Sequence, residues 1–165
     1  MIFRLSLLAV VVSLLVGCKP RPSINPSSHP MAPEFALTDI NGQRLDLASY
    51  RGEVVLLDFW ATWCAPCKTE IPHFIDMQNK YGSQGLQVIG LSMDDSVGPV
   101  KKFYAEEKIN YPVAVADDKL AEAYGGVLGL PIAFLIDRDG RIIAKHTGET
   151  EAAVFEKEIE EALRK

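Results

Sequence analysis

Two cysteines three positions apart offer the most specific chemistry in this 165-residue sequence, where Cys64 and Cys67 enclose Ala65 and Pro66. A pair with this spacing can form half of a zinc site, attach haem covalently, close a structural disulfide or act as a redox dithiol. Each use makes its own demand on the neighbouring residues, so the four can be compared.

The neighbouring residues favour the redox dithiol. A zinc site needs two further ligands, and beyond the N-terminal region only His73 and His146 are left to supply them. Covalent haem attachment requires a histidine directly after the second cysteine, whereas Lys68 stands there. A purely structural disulfide across so small a loop would constrain the unfolded chain least. We therefore expect neither a metal nor another cofactor here.

The reactivity of the pair depends on where a helix begins. A cysteine at a helix N-terminus lies against the positive end of the helix dipole, which favours the thiolate over the thiol. Pro66 suits a first helical turn, where its missing N–H is not needed. We expect Cys64 to be the exposed nucleophile and Cys67, one turn further on, to be the shielded resolving thiol. Thiol-disulfide exchange would then reduce a client disulfide and leave the protein oxidised.

The flanking sequence predicts that the motif lies between a strand and a helix. Val54 to Trp60 form a nearly continuous apolar run, which is typical of a strand buried on both faces. After the motif, apolar residues recur at helical spacing, at positions 71, 74, 75 and 81. Asp58 interrupts the strand, and burial would raise the pKa of an unpaired carboxyl there; a well-paired structural aspartate is the alternative.

The rest of the chain alternates between strand and helix patterns, which indicates an α/β layered domain. Asn41-Gly42 is a strong hairpin-turn signal near its start, and Asp139-Gly140 is another near its end. The other predicted elements are strands at 86–92 and 111–116, helices at 97–108, 119–124 and 150–163, and hairpin strands at 132–136 and 141–146.

The first 18 residues predict export and a lipid anchor. A charged start followed by a short apolar run is typical of a signal peptide. Leu15-Val16-Gly17-Cys18 resembles a bacterial lipobox, in which the cysteine is diacylated and becomes the new N-terminus. An ordinary signal peptide, or an uncleaved anchor that carries a cysteine, is the alternative. Residues 19–33, rich in proline and serine, predict a tether, and residues 34–165 predict the folded domain.

Composition limits the partners of the protein. The chain has 17 basic and 22 acidic residues and a net charge of −5, so it offers no basic field for nucleic acid. Two acyl chains on Cys18 would give stable attachment to a membrane. Because lipidation uses the third cysteine, Cys64 and Cys67 are left as a pair.

The segment Asp58-Phe59-Trp60-Ala61-Thr62-Trp63-Cys64-Ala65-Pro66-Cys67-Lys68 resembles the thioredoxin superfamily, and the resemblance extends over about residues 34–165. The segments 33–38, 70–72 and 129–137 are similar to the exported TlpA-like and ResA-like branch, with its redoxin or AhpC-TSA type domain. The resemblance implies a thioredoxin fold: a central mixed β-sheet flanked by helices, with an N-terminal β-hairpin and a central insertion at 111–129.

The resemblance also implies roles for individual residues. Pro131 should be a cis-proline that faces the cysteine pair, with the Leu130 backbone binding an extended client segment. Asp58 falls at the position of the buried acid that exchanges a proton with Cys67. Glu70 should line the active-site pocket and tune both thiols, although it could also be a solvated helix residue. Trp63, next to the nucleophile, is expected to form part of the recognition surface.

The function implied is reduction of protein disulfides in the cell envelope, on the periplasmic or outer side of a membrane. The clients expected are proteins such as apocytochrome c, and a membrane protein should supply the electrons. Sequence does not fix the direction of electron flow, so a disulfide oxidant or isomerase is the first alternative. A thiol peroxidase and a copper-binding module fit the CxxC spacing less well.

Overall fold

A five-stranded mixed sheet forms the centre of residues 28–165, the part of the chain that the computed structural model describes. The strands lie in the order β5-β4-β3-β6-β7, and a separate two-stranded hairpin, β1-β2, precedes them in sequence. The strands are β1 (Ala36–Thr38), β2 (Arg44–Asp46), β3 (Val54–Trp60), β4 (Leu86–Ser92), β5 (Val113–Val115), β6 (Ile132–Ile136) and β7 (Ile142–Thr147). The helices are α1 (Ala65–Tyr81), α2 (Val97–Glu107), α3 (Asp118–Ala123) and α4 (Ala152–Leu163).

Strand β3 is the middle of the sheet. All seven of its residues are buried, which explains the nearly continuous apolar run in the sequence. It pairs in parallel with β4 and antiparallel with β6. Because neighbouring strands cover both of its edges, the backbone groups of β3 are satisfied within the sheet.

Two hydrophobic clusters cover the two faces of the sheet. One contains Leu56 and Trp60 of β3 together with residues of α1, α2 and α4; we call it the α1 face. The other contains Val55 and Phe59 of β3 together with residues of the hairpin segment and of α3. Alternate residues of a strand point to opposite faces, so the side chain of Asp58 must lie on the α1 face.

The structure confirms the predicted α/β fold and the order of its elements. The hairpin predicted around Asn41-Gly42 is β1-β2, and the hairpin around Asp139-Gly140 is β6-β7. The predicted insertion, 111–129, contributes the edge strand β5 and helix α3, with Val113 and Ala114 fully buried. This segment is therefore an integral part of the layered core.

The packed domain begins before Glu34, where the sequence placed its start. The N–H of Ala32 donates to the carbonyl of Gly140 at 2.9 Å, and the N–H of Ile142 donates to the carbonyl of Pro30 at 2.9 Å. Ala32 is buried. Proline suits such an edge because only its carbonyl is needed. The last residues of the predicted tether thus extend the sheet beside β7, and proline content alone was a poor guide to this boundary.

Three predictions lie outside the described residues: the signal peptide, the lipobox with Cys18, and the tether up to residue 27. Across residues 28–165, none of the helices has both the length and the apolar character that a membrane span requires.

Buried core atoms leave almost no room for a side chain at Gly90. It lies in β4 opposite Asp58. A Cβ atom added there would lie 2.9 Å from Nε1 of Trp60 and 3.1 Å from Cγ2 of Val113. These distances are shorter than ordinary contacts, so a larger residue would force the core to move.

We expect Gly90→Ala to destabilise the protein by about 1–3 kcal/mol, the usual cost of overpacking a core. Gly98→Ala is the matched control, because nothing lies within 4 Å of a Cβ at that position in α2. The control should be neutral or stabilising, since alanine favours a helix over glycine. Urea unfolding measures both; equal effects of the two substitutions would contradict the tight packing at Gly90.

Candidate active site

Cys64 is the N-cap residue of α1. Its backbone is extended, the helix starts at Ala65, and its Sγ accepts a hydrogen bond from the N–H of Cys67 at 3.3 Å. Pro66 lies in the first turn. The sulfur of Cys64 therefore lies where unpaired N–H groups and the helix dipole favour negative charge.

The two cysteines form a disulfide and differ in depth. Cys64 is 5% exposed and Cys67 is 1% exposed. Both residues pack into the cluster on the α1 face, and Cys64 is the less buried of the two. The exposure expected for Cys64 is therefore not seen in the disulfide form, and the division into nucleophile and resolving thiol stays a prediction.

Asp94 holds the loop that leads into the motif. One carboxylate oxygen accepts from the N–H of Thr62 at 2.9 Å and from Oγ of Ser92 at 2.7 Å, and the other accepts from Oγ1 of Thr62 at 2.6 Å. Asp94 was not among the residues predicted from the sequence. Its available signal was an acidic residue just after β4, at the sheet edge where β3 also ends.

Asp58 is buried on the α1 face, 1% exposed. Its Oδ1 has no hydrogen-bond partner among the described residues, so no other protein group pairs with this oxygen. Burial raises the pKa of Asp58 well above its usual range, and the nearby charge of Glu70 raises it further. The carboxyl can therefore hold a proton at a pH at which an exposed aspartate would not.

Glu70 is also buried, 2% exposed, and is not the solvated helix residue that was the alternative. Its Oε1 accepts from the N–H of Thr150 at 2.6 Å, and its Oε2 is without a partner within residues 28–165. Burial raises the pKa of Glu70, and the charge of Glu149 adds to this, while the Thr150 N–H and the charge of His146 oppose it.

A cleft of about 460 Å³ opens beside Glu70, between α1 and the start of α4. Its lining consists of Thr69, Glu70, His73, Glu149, Thr150, Glu151 and Ala152. Cys64 and Cys67 are not part of that lining. A second cleft, of about 610 Å³, lies along α4 and the β6-β7 hairpin, away from the cysteines. The cleft at Glu70 is thus the one that adjoins the active-site helix.

The peptide bond between Leu130 and Pro131 is cis, as the resemblance implied. Ile132, the next residue, pairs with Phe59 near the end of β3. The same register places Pro131 beside Trp60, at the end of the sheet from which the chain runs to Cys64. The carbonyl of Pro131 accepts from the N–H of Gly148 at 2.9 Å.

Exposed apolar side chains lie in the segments next to the cysteines and the cis-proline. Trp63, directly before Cys64, is 69% exposed, and Leu128, two residues before Leu130, is fully exposed. Leu130 itself is half-buried and contacts both hydrophobic clusters. Leu128 was not predicted from the sequence, where its only signal is its position as a large apolar residue in a glycine-rich loop.

The described part of the chain contains no group of three His, Cys, Asp or Glu side chains arranged to hold a metal ion.

A mixed sheet flanked by helices, a cysteine pair at the start of α1 and a cis-proline at the start of β6 together define a thiol-disulfide oxidoreductase with a thioredoxin fold. Comparison with known families gives the assignment: residues 29–145 match the AhpC/TSA family. The chain belongs to that family.

Two relatives are named as thiol-disulfide oxidoreductases. The chain is 36% identical over 135 residues to the thiol-disulfide oxidoreductase ResA of Bacillus thuringiensis, covering 81% of this chain and 75% of the relative. It is 36% identical over 118 residues to ResA of Bacillus subtilis, covering 71% and 65%. The ResA likeness thus includes the cysteines and most of the described domain.

Two solved structures from Chlorobium tepidum show the same fold. One, a thiol:disulfide interchange protein of the thioredoxin family, has a TM-score of 0.77 and 31% identity, over 82% of this chain and 97% of that chain. The other, described provisionally as the interchange protein DsbE, has a TM-score of 0.76 and 39% identity, over 82% and 96%.

The buried Asp58 carboxyl predicts a stability that depends on pH. Its pKa in the folded protein is raised above the value of about 3.9 in an unfolded chain. Such a group destabilises the fold increasingly as the pH rises from the unfolded value towards the folded one. Asp58→Asn should therefore match the wild type near pH 4 and become more stable at higher pH, by an amount on the order of 1–3 kcal/mol.

Urea unfolding of the oxidised protein over a pH series measures this difference. Asp76→Asn is the matched control, since it removes the same charge from an exposed position on α1 and should change little at any pH. A constant advantage of Asp58→Asn across the series, or none at all, would contradict the raised pKa of Asp58.

Proposed function

We propose that this protein reduces disulfides of other proteins outside the cytoplasm, held at a membrane by lipid on Cys18. The observation that carries the proposal is the likeness to ResA over 81% of the chain, combined with a cysteine pair in which Cys64 caps helix α1 and is the less buried of the two. The lipobox-like segment supports the anchor, and the location follows from the anchor and from the signal-peptide pattern.

The proposed cycle has two exchange steps. The thiolate of Cys64 attacks a client disulfide, so that a bond forms between Cys64 and one client sulfur while the other client sulfur leaves as a thiolate. Cys67, as a thiolate, then attacks the sulfur of Cys64, closes the internal disulfide and releases the second client sulfur. Two electrons pass from the protein to the client, and a partner must return two electrons before the next cycle.

Asp58 is the proposed proton acceptor for Cys67. It lies on the α1 face, in the same part of the core as Cys67, with Leu56 and Trp60 as its neighbours along β3. A base with a raised pKa is suited to take a proton near neutral pH. Glu70, buried on the same helix as Cys67, is proposed to tune both thiols through its charge.

Client binding is proposed to use the surface around the cysteines. Trp63 and Leu128 offer exposed apolar contacts. The backbone of Leu130, before the cis-proline, would pair with an extended client segment. Clients of the apocytochrome c type suit this surface because they present cysteines in an unfolded chain. The electron donor would be a membrane protein, which the lipid anchor keeps nearby.

The reduction potential of the Cys64–Cys67 couple tests the direction of electron flow. We expect a value near that of thioredoxin, about −270 mV, or lower. The measurement is equilibration of the Cys18→Ala variant with dithiothreitol or glutathione buffers, because this variant has no third thiol to exchange. A value near that of DsbA, about −120 mV, would contradict the reductant and point to an oxidant or isomerase.

A further inference from the structure

Four buried polar atoms lack a protein partner within the described residues: Oδ1 of Asp58, Nε1 of Trp60, Oη of Tyr111 and Oε2 of Glu70. The first three belong to β3 and to the segment that leads into β5. The first is an acceptor, the second a donor, and the third can donate. Most buried polar atoms are hydrogen-bonded, so three such atoms in one region call for an explanation.

Strand register and the space around Gly90 place the three groups in the same region of the sheet. Asp58 and Trp60 are alternate residues of β3 and share a face, and Asp58 lies opposite Gly90 of β4. The Cβ position of Gly90 is 2.9 Å from Nε1 of Trp60 and 3.4 Å from Cε2 of Tyr111. That carbon is next to the one that bears the hydroxyl. Because residue 90 has no side chain, Trp60 and Tyr111 can both lie close to β4 directly beside Asp58.

We propose that Trp60 and Tyr111 bind one buried water that donates to Oδ1 of Asp58, which makes Tyr111 a positioning residue for this carboxylate. Two donors and one acceptor match a water that accepts twice and donates once, within the two to four partners usual for buried water. The hydrogen-bond site itself follows from the geometry; its importance for Cys67 rests on the proposed function.

The charged and titratable groups around the site are few. Glu70 on α1 faces Asp58, and Tyr104 on α2 faces Tyr111. Burial, then the charges of Asp58 and Tyr104, raise the pKa of Tyr111 well above its usual range, so its hydroxyl stays protonated and remains a donor. Donors favour the ionised carboxyl, so this arrangement opposes the effect of burial on Asp58.

Tyr111→Phe removes one donor and keeps the ring. We expect the titration midpoint of Asp58 to rise by about one pH unit, as for loss of a hydrogen bond to a charged group. The measurement is carbon-13 NMR of aspartate carboxyls in the oxidised protein, where neither cysteine titrates, with Asp58→Asn to assign the signal.

Tyr124→Phe is the matched control. Tyr124 is another buried tyrosine, but it lies in the cluster on the opposite face of the sheet, and its hydroxyl donates to the carbonyl of Pro33 at 2.8 Å. It should leave the Asp58 midpoint in place. Equal midpoints in the wild type and Tyr111→Phe, or equal shifts in both tyrosine variants, would overturn the proposal.

Trp60→Phe gives a second test, because it removes the other donor and should also raise the Asp58 midpoint.

The pH profile of Cys67 attack on a preformed mixed disulfide at Cys64 shows the consequence for the exchange reaction. Tyr111→Phe should move this profile to higher pH. If Asp58→Asn left that attack unchanged at every pH, the role of Asp58 as proton acceptor would fail. The midpoint shift in Tyr111→Phe would still stand, so the two failures are distinguishable.

Discussion

Complete burial of β3 is the constraint on which the rest of this structure depends. A strand covered on both faces and paired along both edges has a fixed position and direction, and it must end where the sheet ends, at Trp60. The chain then has four residues in which to turn into α1, and Asp94 holds this loop through Thr62. The N-terminus of α1, and with it Cys64, is therefore set by the core.

The same burial sets the acid–base properties of the site. Asp58 occupies a strand position that the pattern of the sheet forces into the core, and Glu70 occupies a buried position on α1. Their raised pKa values cost stability at neutral pH, since each carboxyl would be easier to ionise in water. A chain selected for stability alone would place apolar residues there. Retaining both acids is consistent with a site that moves protons between thiols.

Local patterns were sufficient to predict most of the fold. The apolar run of β3, the two turn signals and the helical spacing after the cysteines depend on neighbours in sequence, and each was confirmed. The contacts of Pro30 and Ala32 with the β6-β7 hairpin, and the approach of Tyr111 to Trp60 over Gly90, join residues far apart in the chain. No local pattern reports such contacts, which is why the domain start was placed too late and the polar site was not found.

In the proposed cycle, Cys64 alone exchanges with external sulfur, and Cys67 attacks only the sulfur of Cys64. Trapping with a peptide disulfide in the Cys18→Ala background tests it most directly, with adducts located by mass spectrometry. We expect Cys67→Ala to accumulate a stable mixed disulfide at Cys64, and Cys64→Ala to form almost none. Adducts at Cys67 that form as fast in Cys64→Ala as those at Cys64 do in Cys67→Ala would contradict it.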